Sequence, residues 1–313
     1  MIIDIILIIA GVALVLWGAD RMTDGAVVIA RRLKIPGIVI GLTVVALGTS
    51  MPEFCISLVS ALKGTADLAV GNVVGSNIMN TLVIVGVAAM ITPMAILRST
   101  VKKDMPWVMA ASVILIILCH DRNLSRLDAL LLMLAFLGFM YSTLKSAKSG
   151  TELTPNNDEN IKNMSPLLAT GLIILGLACL ILGSNLFVDA ATRVAKSLGV
   201  SEAVIGLTIV AGGTSLPELA TSVVAARKGQ SDIAIGNVIG SNVYNILLIL
   251  GGTGLICPMK INGITNIDYG MITLSTFLLW LFSFTKFKVE RWEGFVLTLV
   301  YAGYLGWLLW NVV

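Results

Sequence analysis

Long apolar stretches alternate with short polar segments along almost the whole chain. A helix that crosses a membrane needs about 20 mostly apolar residues, and ten stretches approach or exceed that length. These stretches lie near residues 3–30, 37–62, 68–92, 105–119, 126–146, 165–196, 203–227, 233–257, 269–285 and 292–312. The pattern therefore predicts an all-α membrane protein with ten transmembrane helices.

One polar connection is longer than the others and contains the segment TELTPNNDENIKN. It separates the ten stretches into two groups of five. We therefore expect a first five-helix half at 1–146, a linker at 147–163 and a second half at 164–313. The linker is too short to form a folded domain of its own.

The composition excludes several classes of protein. Hydrophobic residues make up 57% of the 313 residues and charged residues only 12%, whereas a soluble domain has about 25% charged residues. The net charge of +3, without a basic cluster, argues against a nucleic-acid partner. Four scattered cysteines and the single histidine, His120, provide neither a zinc site nor a Cys–His nucleophile. We therefore expect no enzyme activity and no cofactor.

Basic residues are distributed unevenly between alternate connections, and this distribution predicts the orientation. One set of connections carries fourteen of them and the other set six. Cytoplasmic loops are enriched in Lys and Arg, so the richer set, which includes the linker, is expected inside. Both termini then face outward, in a protein of the plasma (inner) membrane. The richer set is Arg31, Arg32, Lys34, Arg98, Lys102, Lys103, Lys145, Lys148, Lys162, Arg227, Lys228, Lys286, Lys288 and Arg291; the poorer set is Lys63, Arg122, Arg126, Arg193, Lys196 and Lys260.

The second half repeats a motif of the first half at an offset of 165 residues. GLTVVALGTSMPE begins the segment 41–87 and recurs as GLTIVAGGTSLPE at the start of 206–252; GNVVGSNIMN likewise recurs as GNVIGSNVYN. Between the two segments, 27 of 47 positions are identical. Five spans separate equivalent positions, so the second copy crosses the membrane in the opposite direction. We therefore expect ten transmembrane helices in two inverted-topology five-helix repeats, an architecture of many secondary transporters.

Two acidic residues, Glu53 and Glu218, lie near the middle of apolar stretches at equivalent positions of the repeats. A charged acid at the bilayer centre costs about 2.5–3.5 kcal/mol on insertion scales, so the pair requires cations or protons as partners. Pro52 and Pro217 are expected to break the helix beside each glutamate and to free backbone carbonyls. A structural pair, hydrogen-bonded to helix ends, is the alternative.

Further oxygen-bearing side chains lie in both motif copies, and no sulfur or imidazole accompanies them. Such a ligand set favours hard cations, either one Ca²⁺ neutralised by two carboxylates or several Na⁺. Asn77 and Asn242 stay open between packing hydrogen bonds and ion contact. The hydroxyl and amide candidates are Thr49, Ser50, Ser76, Asn80, Thr214, Ser215, Ser241 and Asn245.

Three aspartates accompany the weaker flanks of the repeats, where Asp24 is equivalent to Asp189 and Asp20 to Asn185. The aspartates are candidates for an ion entrance. Solvated or hydrogen-bonded positions on a helix are the favoured interpretation.

The two motif copies resemble the alpha-repeats of the sodium/calcium exchanger family, within the cation/Ca²⁺ exchanger superfamily. The resemblance covers the ten-span plan and is most specific in 41–87 and 206–252. It implies that Na⁺ and Ca²⁺ are the transported ions and that Glu53 and Glu218 serve both. In this resemblance Thr49 and Thr214 also bind Ca²⁺; Thr49, Ser76 and the Ala46 carbonyl form one Na⁺ site; Thr214, Ser241 and the Ala211 carbonyl form the other; and Asn80 and Asn245 line the middle.

The resemblance also implies a mechanism. An antiporter of this family works by alternating access and typically exchanges three Na⁺ for one Ca²⁺, so that one net charge crosses. Asn245 stands where K⁺-dependent relatives have Asp, which implies K⁺ independence. The short linker implies a minimal, prokaryotic-type member, and a monomer suffices because one chain contains the whole site. H⁺/Ca²⁺ antiport by the same glutamate pair and a cation channel remain the alternatives.

Overall fold

The computed structural model describes residues 1–149, 164–200 and 202–312, and most of these residues are helical. The first half begins with one long helix and continues with shorter helices joined by π-helical segments. Its helices are α1 Ile2–Leu33, α2 Gly37–Ile40, α3 Ala46–Thr49, α4 Met51–Leu62, α5 Ala66–Met79, α6 Val85–Ile91, α7 Met105–Leu118 and α8 Arg126–Ser149, with π-helical segments at Gly41–Val45, Asn80–Ile84 and Thr100–Asp104 and strands β1 Met94–Ala95 and β2 Asn123–Leu124.

The second half has the same order of α-helices and strands, displaced by about 165 residues, but its described residues contain no equivalent of the π-helical segment Thr100–Asp104. Because α8 extends to Ser149, the remainder of the predicted linker, 150–163, lies outside the described residues. The helices are α9 Pro166–Ser197, α10 Glu202–Ile205, α11 Ala211–Thr214, α12 Leu216–Arg227, α13 Ser231–Val243, α14 Gly251–Ile256, α15 Asn266–Phe284 and α16 Arg291–Val312, with π-helical segments at Gly206–Val210 and Tyr244–Leu250 and strands β3 Met259–Lys260 and β4 Lys288–Val289.

Nine of the ten predicted spans contain helices that are long and apolar enough to cross a membrane. Within the described ranges, seven are continuous helical stretches and two are pairs of helices bent at a short break. The tenth predicted span, 105–119, contains α7, which has 14 residues and is extended at its N-terminal end by the π-helical segment Thr100–Asp104. At 1.5 Å per residue the two together measure about 28 Å. The prediction of a largely helical membrane protein is thus confirmed.

The long helices α1 and α9 pack against each other along their lengths and run antiparallel. A Cβ atom at Gly11 would lie 2.8 Å from the carbonyl oxygen of Gly183, and one at Gly18 would lie 2.7 Å from that of Gly176. Residue numbers therefore increase along α1 as the numbers of the contacting residues on α9 decrease. Small residues at these crossings let the two backbones approach closely, as in other membrane helix pairs. Since α1 and α9 are equivalent in the two halves, their contact is symmetric.

Two short strand pairs join the halves to each other. Strand β1 pairs with β4, which places Met94 opposite Val289, and strand β2 pairs with β3, which places Leu124 opposite Met259. Both pairs are antiparallel. Each half therefore contributes one strand to a pair at one end of the helices and one strand to a pair at the other end.

The core of the protein lies around α5 and α13 and the helices that continue them. In the stretch Ser231–Ile256, 94% of the most apolar window is buried, and in Ala66–Ile91 the value is 67%. The peripheral stretch Arg291–Trp310 has only 17% buried, which suits a helix whose large apolar side chains face lipid. The glutamates and asparagines of the two motifs thus lie at the protein centre, away from lipid.

We predict that Gly18→Val or Gly176→Val lowers the thermal stability of the detergent-solubilised protein. Each valine would push against the backbone of the opposite helix, and overpacking of this kind costs about 1–3 kcal/mol. Gly171→Val, also on α9, is the matched control, because no described atom lies within 4 Å of a Cβ at Gly171. Equal melting temperatures for all three variants would contradict the close packing of α1 on α9.

Candidate ion-binding site

The chain bends next to both glutamates. The axis turns by 46° at Ser50, between α3 and α4, and by 54° at Ser215, between α11 and α12. Pro52 and Pro217 occupy the first turns of the helices that follow. Because proline has no N–H group, the carbonyl four residues earlier loses its helical partner. The predicted helix breaks are therefore present at both equivalent positions.

The glutamate side chains point into the core, where each faces the other half of the protein. Glu53 and Glu218 are each only 1% exposed. The Glu53 carboxylate faces Thr214 and Ser215, and the Glu218 carboxylate faces Thr49 and Ser50. The Ser50 hydroxyl donates to Glu218 Oε1 at 3.2 Å. Each break thus places hydroxyl-bearing side chains beside the glutamate of the other half.

No cation of the described residues neutralises either carboxylate. None of the ion pairs found in the described ranges involves Glu53 or Glu218, and three of their four carboxylate oxygens accept no hydrogen bond. Buried polar atoms without partners are rare in folded proteins. Several further unpartnered oxygens belong to predicted site residues, namely Asn80 Oδ1, Ser215 Oγ, Ser241 Oγ and Asn245 Oδ1.

These unpartnered carboxylate, hydroxyl and amide oxygens are of the chemical types that hard cations prefer. The described residues contain no group of three or more His, Cys, Asp or Glu side chains that could hold a metal. A cation here would therefore be bound by two carboxylates together with neutral hydroxyl, amide and carbonyl oxygens. Such mixed oxygen ligands are typical of Ca²⁺ sites.

The asparagines next to the site hold the two central helices together. Asn77 Nδ2 donates to the Asn242 carbonyl at 3.2 Å, and Asn242 Nδ2 donates to Thr81 Oγ1 at 2.8 Å. Asn80 donates to Asn242 Oδ1 at 3.2 Å and Asn245 to Asn77 Oδ1 at 3.1 Å. Asn77 and Asn242 therefore make packing hydrogen bonds. Asn80 and Asn245 use their amide nitrogens in this network and keep their oxygens free.

The remaining predicted ligands lie on the same two breaks and on the central helices. The Thr49 hydroxyl lies 3.4 Å from the Ala46 carbonyl, and Thr214 donates to the Ala211 carbonyl at 3.1 Å. Ser76 and Ser241 are buried on α5 and α13. Their assignment to particular ions stays a prediction.

Two further pairs of residues, missed by the sequence analysis, position the glutamates. Asn72 Nδ2 donates to the Glu53 carbonyl at 3.2 Å and to Ser57 Oγ at 3.0 Å. At the equivalent positions, Asn237 Nδ2 donates to the Glu218 carbonyl at 3.3 Å and to Ser222 Oγ at 3.0 Å. Each asparagine thus ties a glutamate turn to the neighbouring central helix. Asparagine occurs at both equivalent positions of the 165-residue repeat, and this identity could have pointed to a shared role.

The two motif copies differ in how closely they are covered. The segment 37–49, from α2 through α3, lies tightly on α13, where a Cβ at Gly240 would approach Ala46 Cβ to 2.6 Å. Val45 is fully buried, whereas its equivalent Val210 is 37% exposed. Thr49 also donates to Asn237 Oδ1 across this contact at 3.1 Å. The first motif copy is therefore packed more closely on α13 than the second copy is on α5.

Comparison with known proteins agrees with this geometry. The family profile described as "Sodium/calcium exchanger protein" matches residues 3–145 and again residues 168–310. The chain belongs to the sodium/calcium exchanger family. The two matches start and end 165 residues apart, the same offset as between the motif copies.

Several exchanger-family relatives resemble the chain over nearly its full length. The sodium/calcium exchanger MaX1 of Methanosarcina acetivorans is 33% identical, covering 97% of both chains. The putative antiporter CaxA of Alkalimonas amylolytica is 37% identical, covering 97% of this chain and 98% of the relative. A solved structure of the sodium-calcium exchanger NCX_Mj has a TM-score of 0.85 at 29% identity, covering 98% of this chain and 99% of that one. The family resemblance seen in the sequence is thus confirmed.

We predict that Asn72→Ala or Asn237→Ala weakens ion binding while leaving the fold intact. Loss of the amide donor frees the glutamate turn from the central helix, so the thermal stabilisation produced by added Ca²⁺ should fall. The double variant Asn72→Ala/Ser57→Ala should be no worse than Asn72→Ala alone, since both residues belong to one contact. Thermal melts with and without Ca²⁺ measure this. Unchanged Ca²⁺-induced stabilisation in both single variants would contradict the positioning role.

Proposed function

We propose that the protein is a secondary active antiporter that exchanges Na⁺ for Ca²⁺ across the membrane. The observation that carries this proposal is the pair of buried, unpaired carboxylates within a set of neutral oxygens. Two carboxylates can neutralise one Ca²⁺, and the same oxygens can hold Na⁺ ions instead. Membership of the family, and the similarity to the sodium/calcium exchangers MaX1 and NCX_Mj, support this assignment.

In this proposal the two ions compete for one set of ligands. Glu53 and Glu218 serve both ions, and the neighbouring oxygens complete the coordination. The proposed ligands besides the glutamates are Thr49, Ser50, Ser76 and Asn80 with the Ala46 carbonyl, and Thr214, Ser215, Ser241 and Asn245 with the Ala211 carbonyl.

The proposed architecture is ten spans in two inverted repeats. The antiparallel packing of the equivalent helices α1 and α9 supports the inversion. With an odd number of spans per repeat, the α13 side of the site faces the cytoplasm if basic loops are inside. Both termini then lie outside and the linker lies inside. One chain holds both glutamates, so a monomer suffices for transport.

Alternating access is the proposed transport mechanism. We interpret the close packing on α13 as the closed side of the site, and the looser packing on α5, where Val210 is 37% exposed, as its open side. In an inverted repeat, exchanging the two arrangements would open the opposite side. The unequal covering of two equivalent motif copies therefore supports a carrier that opens to one side at a time rather than a continuous channel.

We further propose a stoichiometry of about three Na⁺ per Ca²⁺, so that one net charge crosses per cycle. A membrane potential then contributes about 2.3 kcal/mol per 100 mV to each cycle. The uncharged Asn245 side chain supports K⁺ independence, because a third acidic residue is missing where an additional cation would need one.

We predict that Glu53→Gln or Glu218→Gln abolishes Na⁺-dependent Ca²⁺ uptake into proteoliposomes. Each substitution removes one of the two charges that offset Ca²⁺ in the buried site, while retaining the side-chain shape. Glu290→Gln is the matched control, since Glu290 lies outside the spans and pairs with Lys286 and Lys288. Exchange at the wild-type rate in both site variants would overturn the assignment.

A second transport prediction concerns the coupling ion. Ca²⁺ flux should follow an imposed Na⁺ gradient and should be the same with and without K⁺. A strict K⁺ requirement would contradict the role given to Asn245. Flux driven by a pH gradient in the absence of Na⁺ would instead identify H⁺/Ca²⁺ antiport.

A further inference from the structure

A cluster of charged side chains joins α1 to α12 at some distance from the ion site. Lys228 Nζ lies 2.6 Å from Asp20 Oδ1 and 2.7 Å from Asp24 Oδ1, and it also donates to the Asp20 carbonyl at 3.1 Å. Arg21 pairs with Asp20 at 3.2 Å and contacts Asp24 at 3.8 Å. All four side chains are partly shielded, with Asp24 the least exposed at 17%.

The inverted repeat places a second, unformed copy of this contact at the opposite end of the molecule. At an offset of 165 residues, Asp24 corresponds to Asp189 on α9 and Lys228 corresponds to Lys63 at the end of α4. Asp189 and Lys63 are both exposed, and neither takes part in an ion pair within the described residues. The helix packing differs in the same way, since α1 lies along α12 whereas α9 barely touches α4 in the described part of the chain.

The formed contact lies on the side where the site is closed. Lys228 follows α12 and is separated by two residues from the start of α13, on which the segment 37–49 lies tightly. Lys63 follows α4 and precedes α5, on the open side. The state of each ion pair therefore matches the state of the site on the same side.

We propose that these two ion pairs form an alternating latch: Asp24–Lys228 holds the α13 side closed, and Asp189–Lys63 replaces it when the α5 side closes. This inference rests on the proposed alternating access. Helices α1 and α9 carry the two aspartates and are fixed to each other, both by glycine packing and by the Arg193–Asp4 ion pair at 2.7 Å. A shift of this helix pair relative to α4 and α12 breaks one latch and allows the other to form.

The two latches differ in strength, because the repeats are not identical here. Lys228 forms ion pairs with two carboxylates, whereas Lys63 would pair only with Asp189, since Asn185 stands at the position equivalent to Asp20. Leu186 likewise stands where Arg21 would be expected. The extra carboxylate favours the arrangement with the α13 side closed, which sets a resting preference for the transporter.

Cross-linking tests the latch independently of transport. Cys55, Cys119, Cys179 and Cys257 are first replaced, and exchange by this background protein is measured. Cysteine pairs Asp24→Cys/Lys228→Cys and Lys63→Cys/Asp189→Cys are then treated with a short bifunctional maleimide, and linked peptides are counted by mass spectrometry. The opposite-end pair Asp24→Cys/Lys63→Cys is the matched negative control.

We expect both latch pairs to cross-link and each linkage to stop exchange, because each traps one arrangement. Added to the Lys63→Cys/Asp189→Cys pair, Asp20→Asn should raise the linked fraction about two- to fivefold, the range that a partly exposed ion pair supports. Asn185→Asp should give no such gain in this pair, because Lys63, the lysine that a carboxylate at this position would meet, has been replaced by cysteine.

The contrary results are equally specific. The latch is wrong if Lys63→Cys/Asp189→Cys links no more than the opposite-end control, or if exchange continues at full rate with Asp24→Cys/Lys228→Cys linked. Cross-links in both latch pairs without Na⁺/Ca²⁺ exchange by the background protein would leave the latch standing and contradict the proposed function instead.

Discussion

The structure depends on two buried carboxylates with which no cationic side chain of the described residues pairs. Removing an ion from water costs several kcal/mol even after the surroundings relax, and Glu53 and Glu218 are nearly inaccessible. Within the described residues no cation offsets this cost, so the carboxylates call for cations or protons from solution. The helix breaks, the free hydroxyls and the asparagine braces are all arranged around that requirement. A core with a lysine beside either glutamate would fold more easily and would have no reason to bind Ca²⁺.

Because the sequence is duplicated, both halves use the same local arrangement of break, glutamate and asparagine. Each break faces the glutamate of the other half, so neither repeat contains a complete site alone. The asparagine braces are nearly identical, with corresponding distances of 3.2 and 3.3 Å to the glutamate carbonyls. The contacts that differ between the halves lie at the cover of the site and at the charged cluster on α1. The contacts that position the glutamates are thus symmetric between the halves, whereas the contacts that the proposed mechanism requires to change are not.

Much of this could be predicted from the sequence because charge is scarce in apolar spans. Glu53 and Glu218 stood out for that reason, and the prolines beside them predicted the breaks. Asn72 and Asn237 were missed because an amide that braces a backbone follows no spacing rule in the sequence. Lys228 was counted for orientation alone, since its partners lie about 200 residues earlier in the chain. The aspartates Asp20 and Asp24 were correctly expected to be hydrogen-bonded, but not to join two helices.

The crossed strand pairs have a consequence for how the protein is made. Met94 in β1 pairs with Val289 in β4, so a strand completed within the first third of synthesis waits for one that emerges near the end. Contacts so distant in sequence are slow to form, because a long loop must close before they stabilise anything. The first repeat therefore enters the membrane with an unsatisfied strand edge and half of an ion site. The candidate site is completed when α12 and α13 emerge, but β1 is paired only when β4, between α15 and α16, emerges. A nascent chain stalled before β4 would expose an unpaired strand edge, which invites misassembly.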